Sequence, residues 1–260
     1  VFDAGSGPVL IAGGDFSFVA STAAARLAQW DGASWSSFGA GFPGDTNAVS
    51  RLFVHDDGQL LRLFVSLTPR HGYVASAASV AEWNGTGWSP VVTPQGTVSG
   101  YDMTFATCDD GTTRSLFLGH RQPSWEFPVS SAGPYATLYD GVNLRVAGHS
   151  ASGGLDVGWV TSLDWFDDGS GPVLCVGGPF RSNTAPGVSG LACRRNGAWQ
   201  PLASSLTGNG FGARVFQRAQ VSGTSVLHVG GSFDTLYGVA ANNIATWNGT
   251  TWSPLGAGTD

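Results

Sequence analysis

The chain has 260 residues, long enough for one large domain with a full core. Charged residues make up 12%, about half the usual ~25%; lysine is absent, and all 12 basic residues are Arg. A net charge of −6 with no basic run argues against a nucleic-acid surface, and no apolar stretch reaches the ~18 residues of a membrane span.

Gly is 39 of 260, about double the usual ~7%, and there are ten Trp. Such a composition predicts many short strands joined by tight turns. In chain order, a turn phrase opens each of several similar stretches. "FDAG" (2 to 5) leads to the apolar run "PVLIAGG" (8 to 14) and the loop "DFSFVASTAA" (15 to 24). "ARLAQW" (25 to 30) then runs into "WDGASW" (30 to 35). "AVSRLFV" (48 to 54) is the next strand. It leads through "HDDG" (55 to 58) to "LRLFVSL" (61 to 67), then "SVAEW" (79 to 83), "WNGTGW" (83 to 88) and "GWSPVV" (87 to 92). A third copy has "CDDG" (108 to 111), "SLFLGH" (115 to 120) and "TLYDGVNL" (137 to 144), without its second Trp. A fourth has "FDDG" (166 to 169), "PVLCVGG" (172 to 178) and "CRRNGAW" (193 to 199), without its first Trp and one residue. A fifth has a degenerate "AQVS" (219 to 222), "SVLHVGG" (225 to 231) and "WNGTTW" (247 to 252).

The turn phrases start at 2, 55, 108, 166 and 219, so successive offsets are 53, 53, 58 and 53. Five units follow: 1–53, 54–106, 107–164, 165–217 and 218–260. Each offers four short strands. Asp-Gly and Asn-Gly between strands are hairpin signals, because both residues can take positive φ. No segment carries a long 3.6-residue apolar period, so almost no helix is expected. Four strands per unit, repeated radially, predict an all-β fold, a β-propeller of four-stranded antiparallel blades in one domain, 1–260.

Gly-Gly ending strand two, an aromatic before the next turn and a Trp about five residues later resemble the kelch repeat. A period near 50 residues fits kelch better than the ~40–45 of WD40. The units also look like the Trp-Asp-Gly propeller repeats of large bacterial surface proteins. The resemblance spans nearly the whole chain. It is clear in copies one, four and five and eroded in two and three, where Ser66-Leu67 and Gly119-His120 replace Gly-Gly. Kelch-type propellers include the copper enzyme galactose oxidase; no residue here maps onto its copper site, and no ligand set is carried over. Asp260 aligns with Pro43 and Val1 with Val54, which leaves one inner strand, the counterpart of 44–53, missing. The expectation is that additional blades or a partner strand complete the ring, within a larger exported protein that is extracellular or on the cell surface.

Several residue sets invite a chemical reading. The pairs Trp30/Trp35, Trp83/Trp88 and Trp247/Trp252 could form aromatic sugar platforms. Their recurrence beside a turn instead favours packing between blades. Asp56-Asp57, Asp109-Asp110 and Asp167-Asp168 could bind Ca²⁺, but two carboxylates fall short of a six- to eight-oxygen site, and Asp before Gly is ordinary turn chemistry. The Gly-Gly doublets lack the Lys-Ser/Thr tail of a phosphate loop and are read as points of close approach between strands. No two of His55, His71, His120, His149 and His228 have metal-ligand spacing, and His228 is placed within a sheet. Cys175 and Cys193 fall on neighbouring strands and could pair, but small buried hydrophobes are the favoured reading of the three cysteines. No nucleophile elbow appears. No catalytic residue, metal or cofactor is assigned; Asp102 and Asp164 are the acids placed on inner strands.

Turns one–two and three–four open on one face of such a fold and are uniform. Loops two–three and four–one open on the other and vary. That loop face carries the candidate binding residues Phe18, Arg70, His71, Tyr73, Arg121, Trp125, Phe127, Arg181 and Tyr237; an extra loop, 148 to 158, reaches it too. Arg and aromatics are the types enriched at binding hot spots, and variable loops on rigid scaffolds commonly carry recognition. The leading expectation is a non-enzymatic binding or structural module whose protein or glycan ligand is unspecified. The alternatives are a glycan-binding lectin, and a glycosidase or oxidase with its site over the central channel.

Overall fold

The computed structural model describes residues 1–3, 5, 7–42, 47–69, 80–93, 96–97, 101–109, 114–121, 136–139, 144–146, 157–158, 160–167, 169–181, 188–195, 198–202, 206–207, 212–236 and 238–259. Among them there is no helix; the fold is all-β and built from β-propeller blades. Each blade is a four-stranded antiparallel meander, and the sheet of the fourth carries a further short strand, Val157–Gly158, paired with Pro172–Arg181. The first comprises Phe2–Asp3, Pro8–Gly13, Leu27–Trp30 and Trp35–Ser37. The second comprises Asn47–Asp56, Leu61–Pro69, Val80–Trp83 and Trp88–Pro90. The third comprises Tyr101–Asp109, Arg114–Arg121, Ala136–Tyr139 and Leu144–Val146. The fourth comprises Ser162–Asp167, Pro172–Arg181, Ser189–Arg195 and Ala198–Pro201, and the fifth Gly212–Val221, Thr224–Ser232, Ile244–Trp247 and Trp252–Pro254. The first sheet lies within unit 1–53; each later sheet takes its inner strand from the end of the preceding repeat unit. The chain divides into two compact units, Val1–Met103 and Thr104–Asp260, and each is described by itself.

The hairpin ends differ from the sequence reading in an instructive way. Trp30 pairs with Trp35, Trp83 with Trp88 and Trp247 with Trp252, so the connections have four residues rather than two. Only the Gly of each phrase has positive φ, at Gly32, Gly85 and Gly249. The Asx residue works through its side chain instead. Asp31 Oδ1 accepts from the N–H groups of Ala33 and Ser34, Asn84 Oδ1 from Thr86 and Gly87, and Asn248 Oδ1 from Thr250 and Thr251. Asp57 does the same for Gln59 and Leu60 at the first hairpin of the second blade. One Asx-Gly-x-x device thus closes both hairpin types, because a short side-chain acceptor satisfies two orphan donors at once. The fifth blade departs from it. Its first turn is Ser222-Gly223, both at positive φ, the two-residue type I′ arrangement, so the turn lies one residue beyond the "AQVS" alignment.

Among the described residues, apolar cores join neighbouring blades within each unit. In unit 1, Phe2, Leu27 and Phe38 of the first blade meet Val49, Leu63, Val65 and Ala81 of the second. In unit 2, Phe117 of the third blade and Leu163, Leu174 and Val176 of the fourth share one cluster. Val173, Cys175 and Cys193 of the fourth share another with Leu227, Val229 and Ala245 of the fifth. Alternate residues of "PVLCV" therefore serve opposite blades. A strand buried on both faces shows a continuous apolar run rather than an alternation.

Glycine ends strand two for a steric reason. A Cβ on Gly13 would lie 2.5 Å from Val49 Cγ1, and one on Gly177 would lie 2.7 Å from Ala213 Cβ. In both cases the inner strand of a neighbouring blade crosses there, as the doublets led us to expect. Cys175 and Cys193 are directly opposite each other and joined by a disulfide, at a sequence separation of 18. This corrects the reading of both as free hydrophobes. They are fully buried apolar residues as well, because the bond lies inside the core between the fourth and fifth blades.

Closing a loop of this length constrains the unfolded chain by about 3 kcal/mol. Replacing both Cys175 and Cys193 with Ala should lower unfolding stability by at least about that amount in urea titrations, lost core packing adding to it, and reductant should then have no further effect.

Candidate functional site

Among the described residues the acidic turns are occupied by their own backbone; Asp110, Asp168 and the side chain of Asp109 lie outside the described residues. Asp3 Oδ1 accepts from the N–H groups of Gly5 and Gly7, Asp56 Oδ1 from Gly58, and Asp167 Oδ1 from Gly169 and Gly171. The N–H groups of Ser34 and Ala33 hold the Asp31 carboxyl below its usual range. Burial pushes Asp57 up, but the N–H groups of Leu60 and Gln59 and the charge of Arg62 outweigh it and hold it low. Among the described residues, no group of three His, Cys, Asp or Glu side chains could hold a metal ion. His228 lies mid-sheet, opposite Gln217 and Thr246, with its Nδ1 2.8 Å from Thr246 Oγ1.

The tryptophan pairs are cross-strand contacts with ring centroids 5.1–5.5 Å apart. In the second blade they are covered by the first: Phe38 lies 4.7 Å from Trp83, and Phe42 lies 5.3 Å from Trp88. In the fifth, Trp252 is buried and its Nε1–H donates to the carbonyl of Leu202 of the fourth blade, at 3.3 Å. These two pairs are packing elements.

On the inner strands, Asp164 and Trp165 point to opposite blades. Trp165 stacks edge-on with Phe117, at 5.4 Å. Asp164 Oδ1 lies 3.0 Å from Nε of Arg218 on the inner strand of the fifth blade. Burial pushes the Asp164 carboxyl above its ordinary value; the Arg218 charge and the Trp165 N–H only partly offset this. Sequence reasoning singled out Asp164 and missed Arg218. The alternation of "ARVFQRAQV" puts Phe216 and Arg218 on one face, and Phe216 packs on the fourth-blade core, so the signal was present. A carboxylate tied to a guanidinium can bind or orient a polar group. Acid–base catalysis needs such a group within hydrogen-bond reach of the proton it moves in a bound substrate. The side chain of Asp102 lies outside the described residues.

Among the nine loop-face candidates, Phe18 lies on the short hairpin Phe18–Val19/Thr22–Ala23 and is 66% exposed. Arg181 is exposed at the end of strand two of the fourth blade, opposite Val157 and Ser189. Arg121 ends strand two of the third blade. Arg70, His71, Tyr73, Trp125, Phe127 and Tyr237 lie outside the described residues, as does most of the extra loop 148 to 158. No helix among the described residues is long and apolar enough to cross a membrane. No family model, curated protein or solved structure matches the chain.

The raised Asp164 carboxyl has a defined pH consequence. Folding disfavours its ionised form, so its destabilising effect is absent below about 3.8, grows as pH rises above that value and is complete once pH passes the higher folded value. Asp164→Asn does not titrate and keeps an acceptor for Arg218. Its melting temperature should therefore rise relative to wild type between about pH 4 and pH 7. A difference that stays flat across that range would show that burial does not govern this group.

Proposed function

We propose that this protein is a non-enzymatic, kelch-like propeller scaffold, a binding or structural module that presents its loop face to a macromolecular ligand. The observation that carries the reading is the division of labour between side chains. The recurring Asx and Trp residues are spent on turns and blade packing. Phe18 and Arg181 instead project from loop-side ends of strands whose other residues are locked into sheets. The Gly close approaches at strand two support the kelch-like assignment. A buried disulfide supports residence in an oxidising compartment, in keeping with an exported protein.

A lectin reading draws on the same exposed aromatic. An enzyme reading draws on Asp164, and a measured turnover abolished by Asp164→Ala would establish it. The test of the scaffold reading is a screen of the intact chain against a glycan array and a panel of immobilised extracellular proteins. A protein ligand should lose affinity about tenfold or more with Phe18→Ala or Arg181→Ala, a change of about 1.4 kcal/mol, with melting unchanged. Bound sugars would replace the scaffold reading with the lectin one. A ligand indifferent to both variants would remove these residues from the site.

A further inference from the structure

The fourth blade lacks the first Trp of its pair, and the strand register identifies the residue in its place. In the first and fifth blades that Trp stands directly opposite a leucine of strand two, Trp30 opposite Leu10 and Trp247 opposite Leu227. In the fourth blade Leu174 stands opposite Arg194, and Arg194 pairs with Trp199 as Trp30 does with Trp35. Arg194, not the Arg195 beside the Asn-Gly turn, therefore holds the tryptophan position. Directly opposed residues share a face of the sheet. Arg194 thus lies between Leu174 and Trp199 on the face that packs, with them, against the third blade.

Leu174 and Trp199 are buried there, and Arg194 is half-buried. Its Nε is buried with no hydrogen-bond partner, and Arg194 takes part in none of the ion pairs between described residues. Arg26 also has a buried Nε, but its Nη1 donates to the Phe42 carbonyl. Trp165 continues the row on the other side of Leu174, and its Nε1–H is likewise buried and unpaired. Among the described residues, this seam therefore holds two unanswered donors, one of them charged. The indoles of Trp83, Trp88 and Trp247 leave a buried N–H unpaired as well, but those donors are neutral. A desolvated guanidinium without an acceptor costs far more than an indole N–H, and an anion removes that cost.

We propose that Arg194 is the receptor of a small-oxyanion site in the seam between the third and fourth blades. The Nε–H and the adjacent Nη–H of a guanidinium form a fork that takes two oxygens of a carboxylate, phosphate or sulfate side-on. The part of Arg194 still in solvent gives the ligand a way in. The site lies toward the hairpin end of strand three, Ser189–Arg195, and does not depend on the loop-face reading.

The test uses the intact chain in chloride buffer, with inorganic phosphate or acetate added at constant ionic strength. An anion that binds should raise the melting temperature saturably, by several degrees at about a hundredfold excess over Kd. Phosphate also strengthens burial non-specifically, so the comparison is with Arg194→Met, which keeps an apolar stem and removes the charge. That variant should melt at or above wild type in chloride alone and show no saturable response. In proton–nitrogen correlation spectra, the Arg Nε–H resonance that disappears in Arg194→Lys should move along the same saturation curve. A response to phosphate alone would define a tetrahedral oxyanion, and one to acetate alone a carboxylate. Three results would each overturn the proposal: no saturable response in wild type or an equal one in Arg194→Met, an Nε–H resonance that does not move, or an Arg194→Met protein that melts well below wild type in chloride.

Discussion

Neighbouring blades are held by a contact in which one blade's trailing residue covers the next blade's tryptophans. Phe38 against Trp83 and Leu202 under Trp252 are the two described instances. The contact depends on the Asx-Gly-x-x turn, which pairs two Trp directly across the hairpin and angles them into one surface. It depends equally on glycine at position 39, where a side chain would collide with the ring it must cover. A four-stranded sheet exposes two faces and buries neither by itself, so the stability of each blade resides largely in this shared interface.

Much of this was legible because it repeats. A turn that recurs with a fixed partner spacing identifies a blade, and an apolar run ending in Gly-Gly identifies a strand buried on both sides. The conformation of the turn was less legible. Asn-Gly is ambiguous between a two-residue loop with both residues at positive φ and a longer loop in which Asn acts through its side chain. The pairing of Trp83 with Trp88 decides for the second. The disulfide was undervalued because an apolar strand explains a buried Cys without it; only the direct opposition of Cys175 and Cys193 separates the two cases. The loop face was not legible as a site. Its residue types are suggestive, but whether side chains from different loops converge is a property of three-dimensional placement that no local pattern encodes.

Asp164 shows how a charge enters such an interface. On a strand between two blades, alternate residues must face different neighbours, and Trp165 takes the apolar side. Asp164 takes the side where Arg218 is still half in solvent, so the pair is partly hydrated and partly desolvated. Exposed pairs contribute little, and buried ones lose to desolvation much of what attraction returns. The raised carboxyl indicates that desolvation is the larger effect here. Its structural value therefore lies in orientation: a carboxylate facing one specific guanidinium favours one packing of the fifth inner strand on the fourth.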